Sequence, residues 1–252
     1  MQIKEMMSLV EHLTELRTRI IRVLIAVILT LIIGFIFAQQ ILLYLKHSST
    51  ASGITWHVFS PMDGIRMYML IAFAVSLTLT LPFILYQVWA FVKKGLTQEE
   101  QIATLKYIPY TFLCFLLGLA FGYFVVFPMC IRFTVGVTEN LGLTQTYGVA
   151  QYFSFMLNII IPLSLAFELP IVVMFLTKLK LLNPKLLHKV RRYAYLILII
   201  TASLISPPDL ISHLMVAIPL FALYEISILL SRFVYNGQQR EQSLRNLEYG
   251  VS

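Results

Sequence analysis

Charge is scarce in this chain: only 12% of its 252 residues are Asp, Glu, Lys or Arg, and the mean hydropathy is +0.83. So apolar a composition leaves no room for a soluble catalytic domain and implies one membrane domain over residues 1–252. Cysteine is almost missing. Cys114 and Cys130 fall sixteen residues apart on one predicted helix, about 24 Å along its axis, too far to bond to each other. His12, His47, His57, His188 and His213 are scattered without ligand spacing, so no metal is expected. A phosphate-cradling glycine loop is lacking, as is an internal repeat of the inverted-transporter kind, and no cofactor is expected. Nor is a cleavable signal peptide expected, because Glu5, Glu11 and Glu15 occupy the N-terminal region and the first apolar run is too long for an h-region.

What the chain has in abundance is long apolar runs, at 20–43, 67–91, 107–133, 152–176, 193–205 and 211–233. A helix needs about 20 residues to cross a hydrocarbon core of about 30 Å. The fifth run has about 13 residues and reaches about 20 Å, so it is either a span through thinned membrane or a re-entrant segment. Basic residues decide between these. With both termini cytoplasmic, sixteen of the Lys and Arg residues lie inside, and only Lys46, Arg66 and Arg132 lie outside. That bias favours six true spans, an all-α polytopic membrane helix bundle. The net charge of +7 then reflects topology and contact with anionic lipid, and nucleic acid is not an expected partner.

Within this frame, Met6, Leu9, Val10, Leu13, Leu16 and Ile20 recur at helical spacing, with Glu11, Glu15 and Arg19 on other faces. The pattern predicts an N-terminal interfacial helix feeding the first span, with a short cytoplasmic tail at the other end of the chain. The loop at 44–66 is the longest external segment and a candidate small cap. Gly118 and Gly122 form a G-x-x-x-G pair that suggests close helix packing. Pro82, Pro162, Pro170 and Pro219 interrupt spans and curve them, and Pro128 lies near the outer end of the third.

The polar residues left inside this apolar background are the functional candidates. Glu168 sits mid-span, where a charge costs about 3 kcal/mol on insertion scales, so it must be neutral, paired or facing a wet cavity. Ser164 is one turn earlier on the same side. Glu225 lies seven residues before Arg232 and can snorkel to the inner interface. Glu15 precedes Arg19 by four residues, the favourable order for a helical ion pair worth about 0.3–0.5 kcal/mol. Thr97-Gln98-Glu99-Glu100 has the form of a capping box. Each has a structural explanation, yet several carboxylates share an inner face that is otherwise basic. Two such groups suit bidentate pairing with guanidinium.

Four segments, His12-Leu13-Thr14-Glu15-Leu16-Arg17-Thr18-Arg19, Tyr86-Gln87-Val88-Trp89-Ala90-Phe91, Phe167-Glu168-Leu169-Pro170 and Ser206-Pro207-Pro208-Asp209-Leu210-Ile211-Ser212, together resemble the TatC family, the receptor subunits of twin-arginine protein translocases. The resemblance runs from about residue 8 to 235, with the motifs in the order of the spans. It implies six helices in a concave, glove-like arrangement, short fifth and sixth helices, and both ends cytoplasmic in a bacterial-type inner membrane. It further implies that the chain is not an enzyme, and that its partners are twin-arginine signal peptides of folded cargo, single-span TatA-type and TatB-type subunits, further copies of itself and membrane lipid. Transport would be driven by the proton gradient.

By the same resemblance the signal-peptide site comprises Glu15, Arg17, Phe91 and Glu100. Glu99 stands beside Glu100 as the other candidate for the second carboxylate, and spacing from Phe91 favours Glu100. The first cytoplasmic loop departs from the family pattern, with Lys94-Gly95 and Glu100-Gln101 where Pro-Gly and Glu-Arg pairs are common. Glu168, Ser164 and Asp209 map to intramembrane or partner contacts. Two other readings are an ion-coupled secondary transporter of a small solute, suggested by Glu168 and the prolines, and an intramembrane enzyme, which would need a second group near Glu168.

Overall fold

In a computed structural model the chain is an all-α membrane protein, described over residues 2–47, 56–93, 101, 105–142, 146–206 and 209–248. Side chains are described from residue 13 onward within the first helix, and little beyond residue 240. The long elements are α1 (Gln2–Lys46), α2 (Asp63–Val92), α3 (Tyr107–Phe121), α4 (Phe127–Asn140), α5 (Val149–Ala166), α6 (Leu169–Lys178), α7 (Pro184–Ile205) and α8 (Leu210–Glu248). Two short strands, β1 (Trp56–His57) and β2 (Tyr147–Gly148), pair in parallel.

Five helical segments are long and apolar enough to cross a membrane: Leu13–Lys46, Asp63–Val92, Tyr107–Asn140, Val149–Lys178 and Leu210–Arg240. The expected fifth span, 193–205, is the apolar second half of α7, a helix of 22 residues. Its first half carries Lys185, His188, Lys189, Arg191 and Arg192, so by composition α7 does not join the other five. The helix is therefore longer than its apolar part. The sixth helix is not short either, because α8 continues for 39 residues through a polar run of Gln, Arg and Glu, all good helix formers. Likewise the N-terminal amphipathic segment is continuous with the first span, in one helix of 45 residues.

The chain divides into two compact units, residues 1–108 with 146–154, and residues 109–145 with 155–252. The first is built on the α1–α2 hairpin. Gly34 lets the two backbones meet, since a Cβ there would stand 2.4 Å from the Ala72 carbonyl oxygen. One turn away, the Thr30 hydroxyl lies 2.8 Å from that of Ser76 and 2.6 Å from that of Thr80, and Ser76 donates to the Val27 carbonyl at 3.1 Å. Hydroxyls pair across such interfaces because hydrocarbon provides no competing water. The end of the 44–66 loop does form part of a small cap. Trp56 packs edge-on to Tyr152 and stacked on Phe153, and the Asp63 carboxylate accepts from the Phe59 and Ser60 amides.

In the second unit, the third apolar run is two helices joined through a π turn at Gly122–Val126. Pro128 has no N–H to donate four residues back, and the ladder widens just before it, with the Phe127 amide bonding the Gly122 carbonyl. The G-x-x-x-G pair packs as expected. A Cβ on Gly118 would stand 2.7 Å from Ser164 Cα, and one on Gly122 3.3 Å from Ile160 Cα. Elsewhere Val173, Leu187, Tyr224 and Ile228 form a core among α6, α7 and α8, with the Tyr224 hydroxyl donating to the Leu187 carbonyl at 2.9 Å. The buried hydroxyls of Thr177 and Ser231, 2.8 Å apart, tie α6 to α8.

The Gly34 contact gives a direct stability test. Gly34→Ala should lower the unfolding temperature in detergent at a cost of about 1–3 kcal/mol, because backbone cannot move aside as a side chain can. Gly136→Ala, at an open helical position, should leave stability unchanged or raise it by up to about 1 kcal/mol. Equal melting temperatures for the two variants would show that α1 and α2 separate at no cost.

Candidate functional site

Glu15 lies on α1, and the expected pair with Arg19 is present: Arg19 Nη2 is 2.6 Å and Nε 3.0 Å from Glu15 Oε1. The guanidinium does more than spacing along one helix predicted. Its Nη1 donates to Gln87 Oε1 at 3.1 Å and its Nη2 to the Ala90 carbonyl at 2.9 Å, both on α2. The α1–α2 hairpin thus gathers a carboxylate, an amide oxygen and a main-chain carbonyl around one cation. Ala90 lies in the last turn of α2, near the negative end of the helix dipole.

Gln87 was passed over in reading the sequence, although it stands inside one of the segments that carry the family resemblance. Its signal is composition, a primary amide in an apolar span, and it proves to be only 6% exposed. Phe91, one residue beyond Ala90, is half-buried, and Trp89 is buried with Lys93 Nζ 5.3 Å from its ring centroid. Arg17 is exposed on α1. Glu99 and Glu100, with the capping-box segment, lie outside the described residues.

Glu168 occupies a break between α5 and α6. Pro170 leaves the Ala166 carbonyl without its usual donor, and the chain turns, with the Glu168 amide bonding the Leu165 carbonyl at 3.1 Å. Glu168 is only 9% exposed, and its Oε1 has no hydrogen-bond partner among the described residues. Ser164 is fully buried in the same unit, yet its hydroxyl already donates to the Ile160 carbonyl at 2.6 Å and its Cα lies under Gly118. The structure gives it a packing role.

Asp209 caps α8, its carboxylate accepting from the Ser212 amide at 2.6 Å. Glu225 meets Arg191 and Tyr195 of α7, both hydrogen-bonded to its carboxylate. Arg232, seven residues on, turns to His188. A partner on another helix, 34 residues away, carries no local signature.

Comparison with known proteins identifies the family. The family model described as Sec-independent protein translocase protein (TatC) matches residues 11–219. A Sec-independent protein translocase protein TatC of Halalkalibacterium halodurans is 44% identical over 96% of each chain. TatCy of Bacillus subtilis is 43% identical over 94% of this chain and 93% of its own, and TatC of Escherichia coli 32% identical over 96% and 95%. A crystal structure of the twin-arginine translocase receptor TatC superposes with a TM-score of 0.79 at 33% identity, covering 88% of this chain and 99% of that one. With a family model spanning most of its length and relatives matched nearly end to end, the chain belongs to the TatC family of Sec-independent protein translocase components.

Proposed function

We propose that this translocase component recognises the paired arginines of signal peptides on folded cargo, and that the α1–α2 hairpin is the recognition surface. The observation that carries this reading is the Glu15 carboxylate already hydrogen-bonded to a guanidinium, with further acceptors from Gln87 and Ala90 around it. Charge-assisted bonds of this kind are roughly twice as strong as neutral ones, and a planar guanidinium presents five donors in a fixed fork where a compact ammonium presents three. Glu100, or Glu99 beside it, supplies the second carboxylate, with Arg17 and Phe91 flanking the site. No covalent chemistry is involved.

In this reading both termini are cytoplasmic in a bacterial-type inner membrane, which the distribution of basic residues supports. The apolar part of the signal lies along the bundle, and single-span TatA-type and TatB-type subunits and further copies of the chain complete the assembly. Glu168 is the polar point for a partner helix: a buried carboxyl in a helix break is costly and is retained for an interaction. Asp209 acts through the α8 cap. The proton gradient drives transport.

Three measurements test this. Glu15→Gln and Glu100→Gln should each weaken binding of a twin-arginine peptide by about 1.5–3 kcal/mol, the range for a charged hydrogen bond. A double-mutant cycle against Arg→Gln changes in the peptide should show coupling, and its absence at both positions in inserted protein would remove the assignment. Glu168→Gln should leave precursor binding intact while reducing partner docking or transport, so full transport at normal protein levels would leave Glu168 a packing residue. Finally, in a background without Cys114 and Cys130, His188→Cys and Asp209→Cys should react with impermeant thiol reagents from opposite sides of the membrane. Reaction from one side would rule out α7 as a span.

A further inference from the structure

The Arg19 guanidinium is the most fully engaged cation among the described residues. Four donor–acceptor contacts hold it, two to Glu15 Oε1, one to Gln87 Oε1 and one to the Ala90 carbonyl, and the side chains of Arg19 and Glu15 are only 16% and 15% exposed. An ordinary ion pair along a helix surface needs none of the contacts that come from α2. The three acceptors instead outline a receptor for one guanidinium: a carboxylate, an amide oxygen and a carbonyl at the negative end of a helix.

We infer that Glu15, Gln87 and the Ala90 carbonyl form a guanidinium socket which Arg19 occupies as a resident ligand, and that one arginine of the incoming peptide takes the same socket by displacing it. This rests on the recognition reading above and adds to it an occupied resting state. The acceptors that would receive a peptide guanidinium are those already receiving Arg19, and a second cation placed beside the first would meet like-charge repulsion. Displacement is open to Arg19 because its long stem can carry the head outward to water. While no cargo is bound, the resident cation pairs with the partly buried Glu15 carboxylate. Gln87 thereby becomes a specificity residue, because a planar guanidinium spreads its five donors toward acceptors on two helices while an ammonium concentrates three at one point.

Two consequences can be measured. Competition by a resident ligand lowers apparent affinity in proportion to the fraction of receptors with the socket open, so Arg19→Ala should tighten twin-arginine peptide binding by at least about fivefold. Unchanged or weaker binding by folded Arg19→Ala would overturn the proposal and make Arg19 a positioning residue. Because that variant loses a bridge between helices, the native protein provides a second readout. With arginine Nε labelled and the Arg19 signal assigned by its loss in Arg19→Lys, its N–H should be protected from solvent exchange in the free receptor and lose protection when peptide binds. Protection retained at saturating peptide would equally overturn the proposal.

Methylguanidinium separates the two levels of the reading. It should raise the melting temperature of Arg19→Ala and leave wild type unchanged, and methylammonium should do neither. Should wild type bind twin-arginine and twin-lysine peptides alike, the recognition reading fails. The methylguanidinium result would then still decide whether the socket exists, and no stabilisation of Arg19→Ala would reject it.

Discussion

Hydrocarbon offers nothing to hydrogen-bond with, and that constraint governs the rest of this structure. Every N–H and C=O within the membrane must find a partner in the chain, so the spans are helices and their breaks are local events with local compensation. Pro128 is preceded by a π turn that finds an acceptor five residues back. Pro170 is preceded by a tight turn in which the Glu168 amide bonds the Leu165 carbonyl. The second break leaves the Glu168 carboxyl buried.

The same constraint explains how the helices hold together. Apolar side chains gain little by leaving lipid for one another, so association relies on close backbone approach and on buried hydroxyls. Gly34 sits against Ala72, and Gly118 and Gly122 against Ser164 and Ile160. Thr30 joins Ser76 and Thr80, and Thr177 joins Ser231. The contacts of Gly34 and Thr30 set α1 against α2, and Gln87 and the Ala90 carbonyl lie within reach of Arg19.

Charged groups are few, and among the described residues two ion pairs help bring helices together. Arg19 is shared between two helices, and Glu225 receives both Arg191 and Tyr195. Arg19 reaches three acceptors and Glu225 takes two donors, and either arrangement offsets the loss of water better than a single contact could. On the proposed reading, the Glu15 carboxylate is paired with Arg19 before any peptide arrives, and recognition is an exchange of partners.

Much of this was legible in the residue order. Twenty-residue apolar runs, the asymmetry of Lys and Arg and the G-x-x-x-G pair are one-dimensional patterns with direct physical meaning, so the helical membrane architecture and the packing at Gly118 and Gly122 could be read from them. The Glu15–Arg19 pair and the anomaly of Glu168 were visible for the same reason, since each depends on neighbours within a turn or on position along a span. Lengths were less legible: apolarity marks where a helix meets lipid and not where it ends, and α7 and α8 both run on into polar sequence. Tertiary structure alone decided who meets whom across helices. Gln87 and Ala90 reach Arg19 from 68 and 71 residues away, Arg191 reaches Glu225 from 34, and Trp56 finds Tyr152 and Phe153. Such pairings depend on helix rotation and crossing, which are fixed by the summed fit of many small contacts and leave no periodic trace in the chain.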